Sequence, residues 1–114
     1  MSVTASPNVQ QYQKAKNIIE DDPFQVECVG WGNLPLSVVW KFNGEPVVAD
    51  GDRVTYKNST GSGHLLANST LRIQSMSYDD AGDYVCVITN EYGNATATIT
   101  VQVKGTFHVR RLFL

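Results

Sequence analysis

The sequence contains few of the residues on which enzymes and metal sites depend. Among 114 residues there are two cysteines and two histidines. Cys28 and Cys86 stand 58 positions apart, far beyond the CxxC spacing of zinc and redox motifs. His64 falls in a polar segment and His108 in the last ten residues, and no catalytic or phosphate-binding motif occurs anywhere in the chain. We therefore predict no enzymatic activity, no cofactor and no metal site.

An excess of positive charge and long apolar runs are also absent. The formal net charge is −2, so no broad positive field is available to attract nucleic acid. No run of about 18 apolar residues occurs that would span a bilayer. The first residues, MSVTASPNVQQ, lack the apolar core of a signal peptide. We predict that this segment neither binds nucleic acid nor inserts into a membrane, and its localisation has to be inferred from other features.

Apolar residues recur with a period of two, and no stretch shows the spacing of an amphipathic helix. Asn43-Gly44 supplies the two positive φ angles of a type I′ hairpin turn. Short strands at this spacing, without helices between them, predict an all-β, antiparallel two-sheet sandwich. The predicted strands cover residues 3–16, 24–29, 37–42, 45–49, 53–57, 70–74, 84–88 and 97–103, and residues 58–67 are predicted to form a loop.

The length of the chain suits one hydrophobic core. We predict a single domain over residues 1–104. Residues 105–114 form a tail that ends in RRLFL. A linker, a juxtamembrane stub, an extra strand and a vector remnant all remain open as explanations of this tail.

Three N-x-S/T sequons occur, at Asn58, Asn68 and Asn94, and none has a proline in the middle. Asn, Ser and Thr also gather in turns, so one such triplet is a weak signal. Three of them, all in predicted loops or at exposed strand ends, favour N-glycans and an extracellular or cell-surface protein. In such an oxidising compartment, two cysteines can pair.

Several spaced features of the chain belong together: Cys28, Trp40 twelve positions later, Leu71-x-Ile73, and Asp80-x-Gly82-x-Tyr84-x-Cys86. This set resembles the immunoglobulin superfamily. The stretch ITNEYG, residues 88–93, is similar to the I-set of cell-adhesion molecules and receptor ectodomains. The resemblance covers roughly residues 5–104 and implies a Greek-key sandwich with strands lettered A to G.

By this resemblance, Cys28 and Cys86 form a disulfide between the two sheets. The Trp40 indole is expected to pack against it, with Leu71 and Ile73 nearby in the core. Closing a loop of this length would remove denatured-state entropy worth about 4 kcal/mol.

The acidic run before Cys86 is interpreted as scaffold rather than as a chemical site. Tyr84 stands where a phenol can fold back and hydrogen-bond the backbone at the corner between strands E and F. Arg53 and Asp80 are predicted to form a bidentate ion pair at that end of the sandwich. The other carboxylates of the run are expected to be solvated, because calcium would need several more oxygen ligands at fixed spacing.

The candidate binding surface is inferred by exclusion. Glycans on Asn58, in the predicted D to E loop, and on Asn94, at the F to G hairpin, would crowd one end of the sandwich, and a glycan on Asn68 would shield the ABED face. The face of strands G, F, C and C′ is then the least encumbered. Its outward side chains are predicted to include Val39, Lys41, Val85, Val87, Thr89, Thr100 and Gln102. Valines also simply favour strands, so ordinary strand composition remains an alternative explanation.

Two aromatic residues are further candidates. Tyr92, in the NEYGN hairpin, is a residue type enriched at interface hot spots, but it could instead lie on the sheet. Trp31, between strands B and C, either caps the edge of the core or serves as an exposed anchor. Packing is the preferred interpretation for Trp31.

These features predict an extracellular module that recognises another protein, including a second copy of itself, in cell adhesion. The first alternative is a receptor-ectodomain or transporter-accessory module that binds a soluble or membrane protein. The second alternative is an intracellular I-set domain of the muscle type, against which the three sequons argue.

Overall fold

The strands build two packed sheets. In the computed structural model, which describes residues 7–10, 15–33, 35–61 and 66–105, nine strands and one short 3₁₀ helix are present. The strands are β1 (Asn8–Val9), β2 (Ala15–Ile19), β3 (Phe24–Trp31), β4 (Ser37–Phe42), β5 (Glu45–Pro46), β6 (Val54–Gly61), β7 (Leu66–Ile73), β8 (Gly82–Asn90) and β9 (Gly93–Lys104). The 3₁₀ helix spans Tyr78–Asp80, between β7 and β8.

The first sheet has the strand order β1-β3-β7-β6 and the second has the order β2-β9-β8-β4-β5. The chain passes between the sheets at the β1 to β2, β2 to β3, β3 to β4, β5 to β6 and β7 to β8 connections. This arrangement confirms the predicted sandwich. The sequence did not predict one of its pairings: β2 runs parallel to β9, while the other strand pairs are antiparallel.

The predicted loop over residues 58–67 is wrong in most of its length. β6 continues to Gly61 and β7 begins at Leu66, and the two strands stay in register from Val54 opposite Ile73 to Gly61 opposite Leu66. The polar, glycine-rich composition suggested a loop. Such composition indicates a solvent-exposed segment, which can be either a loop or an edge strand. The backbone hydrogen bonds of an edge strand do not depend on apolar side chains.

The first predicted strand, residues 3–16, is also different. Its described part contains two strands, because β1 pairs with β3 in one sheet and β2 pairs with β9 in the other. β2 continues to Ile19, three residues beyond the predicted end. The predicted strand over residues 45–49 shrinks to Glu45–Pro46, at the edge where a proline is tolerated.

The β4–β5 hairpin closes as predicted. Phe42 lies opposite Glu45, and the two residues between them have positive φ, 49° at Asn43 and 88° at Gly44. These angles are those of a type I′ turn. The Asn43 side chain also accepts a hydrogen bond from the Asp83 backbone N–H at 2.9 Å, which fixes the turn against the start of β8.

The core lies between the sheets around the disulfide. Cys28 and Cys86 are joined, fully buried, with their Cα atoms 6.4 Å apart. Trp40 lies directly opposite Cys86 in the register of β4 and β8. The other buried apolar residues are Val9, Ile18, Phe24, Val26, Leu71, Ile73, Met76, Tyr84, Ile88, Ala97, Ile99, Val101 and Val103.

One buried polar residue joins the two sheets. Ser69, on β7, has no exposed surface, and its Oγ accepts a hydrogen bond from Trp40 Nε1 at 2.7 Å. The same hydroxyl donates to Asn58 Oδ1 on β6. A chain of two hydrogen bonds therefore runs from the central indole to the edge of the first sheet.

Candidate protein-binding face

The outward side chains of β4, β8 and β9 form one continuous surface, called the valine face. Residues opposite each other on neighbouring strands point to the same side of a sheet. The register places Val39 opposite Val87, and Val87 opposite Thr96. The valine face consists of Ser37, Val39, Lys41, Asp83, Val85, Val87, Thr89, Asn94, Thr96, Thr98, Thr100, Gln102 and Lys104.

The centre of the valine face is apolar but small. Val39 is 45% exposed, and Val85 and Val87 are half-buried by their neighbours in the sheet. Threonines of β9 flank them on one side. The predicted outward positions are therefore correct, and they make a modest apolar patch with a polar surround.

A cation and an anion, Lys41 and Asp83, lie on the neighbouring strands β4 and β8 of the valine face. Lys41 is opposite Val85, and Asp83 is two residues before Val85 on the same strand. Strand geometry separates the Lys41 and Asp83 backbones by about 8 Å. Asp83 Oδ1 accepts a hydrogen bond from Thr100 Oγ1 at 2.6 Å, which holds the exposed carboxylate against β9.

Strand β2 widens this surface, and sequence reasoning missed its contribution. Asn17 lies opposite Gln102, and Ile19, 39% exposed, lies opposite Lys104. No strong alternation marks the segment that contains β2. A parallel pairing between the two ends of the chain also leaves no local signal that would reveal it.

Asn94 lies on the valine face itself. It is the second residue of β9, it is exposed, and it is opposite Thr89. Thr89 is in turn opposite Ser37 on β4. The sequence placed Asn94 at the hairpin end of the sandwich and predicted this face to be the least encumbered. The register shows that the Asn94 side chain points outward from the same side as the valines.

The other two sequons lie on the first sheet. Asn68 is opposite Val29 on β3, on the outer side of the sheet, as predicted. Asn58 lies within β6 rather than in a loop. It is opposite Ser69 and shares the side of the sheet that faces the core, which explains how its Oδ1 reaches the Ser69 hydroxyl.

The residues around the 3₁₀ helix act as scaffold. Tyr84 Oη donates to the backbone oxygen of Asp80 at 2.5 Å, and burial raises the pKa of Tyr84. Arg53 Nη2 contacts Asp80 Oδ2 and also donates to the Ser75 backbone oxygen at 2.9 Å. The ion pair is made through one guanidinium nitrogen, Nη2, so the predicted bidentate geometry is wrong. Asp80 Oδ2 also accepts from the Ser77 backbone N–H at 2.8 Å, so one carboxylate oxygen joins the helix start to Arg53, the residue before β6.

The family follows from the match of its model to nearly the whole of the described chain. The immunoglobulin I-set domain model matches residues 7–103. The chain belongs to the immunoglobulin I-set family. Domains of this family are known for binding and structural roles rather than for catalysis.

Similar proteins include a cell adhesion molecule and titin. The I-set domain is 35% identical to Protein amalgam of Drosophila melanogaster over 66% of this chain and 22% of that protein. It is 24% identical to the cell adhesion molecule DSCAML1 of Mus musculus over 94% of this chain and 5% of that protein. Among solved structures, the complex of titin M10 with an obscurin-like 1 immunoglobulin domain matches with a TM-score of 0.72 and 25% identity, covering 89% of this chain and 96% of that one. The chain thus spans less than a quarter of the length of these two curated relatives.

The β8–β9 turn of the I-set domain presents Tyr92 at the end of the sandwich. Tyr92 is 43% exposed, and its backbone N–H donates to Asn90 Oδ1 at 2.8 Å. Asn90 is buried, and its Nδ2 donates to the Asn33 backbone oxygen at 3.1 Å, which ties this turn to the β3–β4 loop. A hydrogen bond with Glu91 raises the pKa of Tyr92.

Trp31 does not cap the core of the I-set domain. It ends β3 on the outer side of the first sheet, opposite Asn8, and is 43% exposed. The preferred interpretation of this residue as a packing element is therefore wrong. Trp31 lies on the sheet opposite to the valine face, so the two surfaces cannot form one continuous patch.

A small cleft opens beside β5 and β6. Its volume is about 180 Å³, below the 300 Å³ or more of typical ligand pockets. It is lined by Phe42, Glu45, Pro46, Val47, Val48, Val54, Ile73, Asp80 and Tyr84. The sequence suggested no room for a substrate cavity, and this cleft is a shallow exception at the edge of the sandwich.

Over the described residues, no helix is long and apolar enough to cross a bilayer. The same residues contain no cluster of three His, Cys, Asp or Glu side chains that would hold a metal ion. His64, His108 and the tail from residue 106 onward lie outside the described residues.

Proposed function

We propose that this I-set domain is an extracellular protein-recognition module of a cell-surface or secreted protein, and that it acts in adhesion through its valine face. The partner that fits this face best is a second copy of the same domain. Relatives that include a cell adhesion molecule support the general role. The choice of a second copy as the partner is supported by the residues of the valine face alone.

The arrangement of Lys41 and Asp83 carries the proposal. In a two-fold symmetric contact, if one residue touches a second residue of the other copy, the reverse contact also forms. A cation and an anion about 8 Å apart on one face are therefore complementary to the same pair on a second copy. Lys41 of each copy meets Asp83 of the other, and Val85 lies between the two pairs.

The size of the valine face favours a weak contact. Strand length and spacing give it a flat area on the order of 500 Å². A standard stable interface buries about 800 Å² on each partner. Contact between single domains is therefore expected to be transient, as adhesion contacts multiplied over many molecules can be.

Sedimentation velocity over a concentration series tests this proposal. The protein should be free of glycans for this experiment. Val87→Arg places a charge at the apolar centre of the valine face and should abolish self-association. The matched control is Val29→Arg, because Val29 is a half-buried valine on the outer side of the other sheet. The wild-type domain remaining monomeric at high concentration would rule out a homophilic role for this face.

A charge exchange gives a sharper result. Lys41→Asp and Asp83→Lys should each weaken self-association, since each places like charges opposite one another. The double variant Lys41→Asp/Asp83→Lys should restore it. Failure of the double variant to associate better than either single variant would contradict the symmetric pairing.

The likeness to the titin complex favours one second candidate, an intracellular structural domain of the muscle type. The two functions differ in chemistry that can be measured. Protein secreted from eukaryotic cells should shift in mobility on glycosidase treatment and contain no free thiol. No shift, together with reduced Cys28 and Cys86, would favour the intracellular function.

A further inference from the structure

We infer that Asn94 carries an N-linked glycan that covers one end of the valine face and so weakens its contact with a second copy. The effect on association rests on the proposed function. The covering of the face does not, and it can be measured without any partner.

The register decides the direction of the Asn94 side chain. Along β9, Ala97, Ile99 and Val101 are buried and face the core, so even-numbered positions face outward. Asn94 is exposed and lies opposite Thr89 in the end row of the valine face. A group attached to its Nδ2 therefore begins on this surface rather than at the tip of the β8–β9 turn.

The apolar centre lies within reach of that group. Val87 is one strand across and one row along from Asn94, about 8 Å away, and Val39 is about 12 Å away. Lys41 is two strands across and two rows along, about 17 Å away. An N-glycan is a bulky, branched and hydrated group, so it can lie over these positions.

The modification itself uses ordinary secretory chemistry. The Asn94 amide nitrogen gives up one proton and forms a bond to C1 of the first sugar. The bond from that carbon to a lipid-linked pyrophosphate breaks, and the lipid pyrophosphate leaves with the electron pair. The oligosaccharide donor is the co-reactant, and no oxidant or reductant is needed.

The consequence follows from the small area of the face. Because the valine face offers only on the order of 500 Å², losing the rows nearest Asn94 removes a substantial share of it. These rows contain Val39 and Val87, its most apolar part. Occupancy of the sequon thus limits association, and protein lacking the glycan associates more strongly.

The experiment compares glycoprotein secreted from eukaryotic cells with its Asn94→Gln variant. The matched control is Asn68→Gln, which removes the sequon on the outer side of the opposite sheet. Lysine acylation of protein diluted until it is monomeric, followed by mass spectrometry, measures shielding without a partner. Lys41 reports on the valine face, and Lys57, opposite Thr70 in the row next to Asn68, reports on the other sheet.

Each variant is expected to expose the lysine on its own sheet and to leave the lysine on the other sheet unchanged. Asn94→Gln should raise the acylation rate of Lys41 several-fold and leave Lys57 unchanged, and Asn68→Gln should do the reverse. In sedimentation velocity, Asn94→Gln should self-associate at least about tenfold more tightly than the wild-type glycoprotein, a change equal to about 1.4 kcal/mol. Asn68→Gln should not.

Different results of the acylation and sedimentation experiments would overturn different parts of the inference. An unmodified Asn94 in the secreted protein, or equal Lys41 rates with and without the sequon, overturns the inference. Shielding of Lys41 with equal association of both proteins overturns its regulatory part. If Lys41 is shielded but neither form associates at any concentration, the covering stands and the homophilic function fails.

Discussion

Replacing Ser69 with alanine tests the hydrogen-bond chain that joins the two sheets. Ser69 Oγ accepts from Trp40 Nε1 at 2.7 Å and donates to Asn58 Oδ1. Ser69 has no exposed surface and Trp40 is only 3% exposed, so water does not readily replace the lost partner. In Ser69→Ala, the indole N–H remains buried without an acceptor.

The expected cost is about 2 kcal/mol in the free energy of unfolding. Leaving a buried donor unsatisfied costs about 1–3 kcal/mol, more than the net contribution of an ordinary hydrogen bond. With a urea m-value of about 1–3 kcal/mol/M, the midpoint of urea unfolding should fall by about 0.7–2 M. Ser69 is the middle residue of its sequon, so alanine leaves the sequon at Asn68 intact.

A double-mutant cycle assigns this loss to the indole. Trp40→Phe removes the buried donor, so Ser69→Ala should cost at least about 1 kcal/mol less in that background. Ser37→Ala is the control, because Ser37 is an exposed strand serine whose change should alter stability by no more than about 0.5 kcal/mol. A loss for Ser69→Ala that is below about 0.5 kcal/mol, or equal in both backgrounds, would refute the reasoning.

Three further predictions concern the turns and the corner tyrosine. Tyr84→Phe removes the hydrogen bond to the Asp80 carbonyl and should cost about 1 kcal/mol in urea unfolding. Because burial raises the pKa of Tyr84, the unfolded phenol ionises first, so stability falls as pH rises above about 10, and Tyr84→Phe should reduce that fall. Gly82→Ala should cost about 1–3 kcal/mol, because φ is 151° and the new Cβ would lie 2.5 Å from Asn43 Oδ1; a variant as stable as wild type would contradict this account. Backbone N–H donors lower the pKa of Asp50, so its contribution is present above about pH 4 and is lost at lower pH. The decrease in urea midpoint between about pH 5 and pH 3 should therefore be smaller in Asp50→Asn, and an unchanged decrease would show that these donors contribute nothing.

Local patterns predicted those elements whose side chains are sorted by burial. Phe24, Val26 and Cys28 alternate with exposed residues on β3, and the same alternation marks β4, β8 and β9. The Asn43-Gly44 turn was also predictable, since its conformation depends on two adjacent residues. The candidate face followed from the same alternation, because the positions not facing the core must face outward.

Patterns failed where pairing rather than burial decides the structure. β6 continues to Gly61 and β7 begins at Leu66, in largely polar sequence. Backbone groups make the hydrogen bonds that pair these strands, so amino-acid composition does not reveal them. The position of Asn94 was misjudged for a related reason. From the sequence, a sequon next to a turn suggests a loop. The register shows instead that Asn94 lies within β9, on the same side of the sheet as the valines.

The sequence alone determined the family and the sandwich, because these depend on residue types at fixed spacings along one chain, and the resemblance to the family implied the disulfide. Only the tertiary structure decided which surfaces are joined. The parallel contact of β2 with β9, the chain from Trp40 through Ser69 to Asn58, and the shared face of Asn94 and Val87 each bring together segments distant in sequence. Such contacts are set by strand register across and between sheets, which no local periodicity encodes.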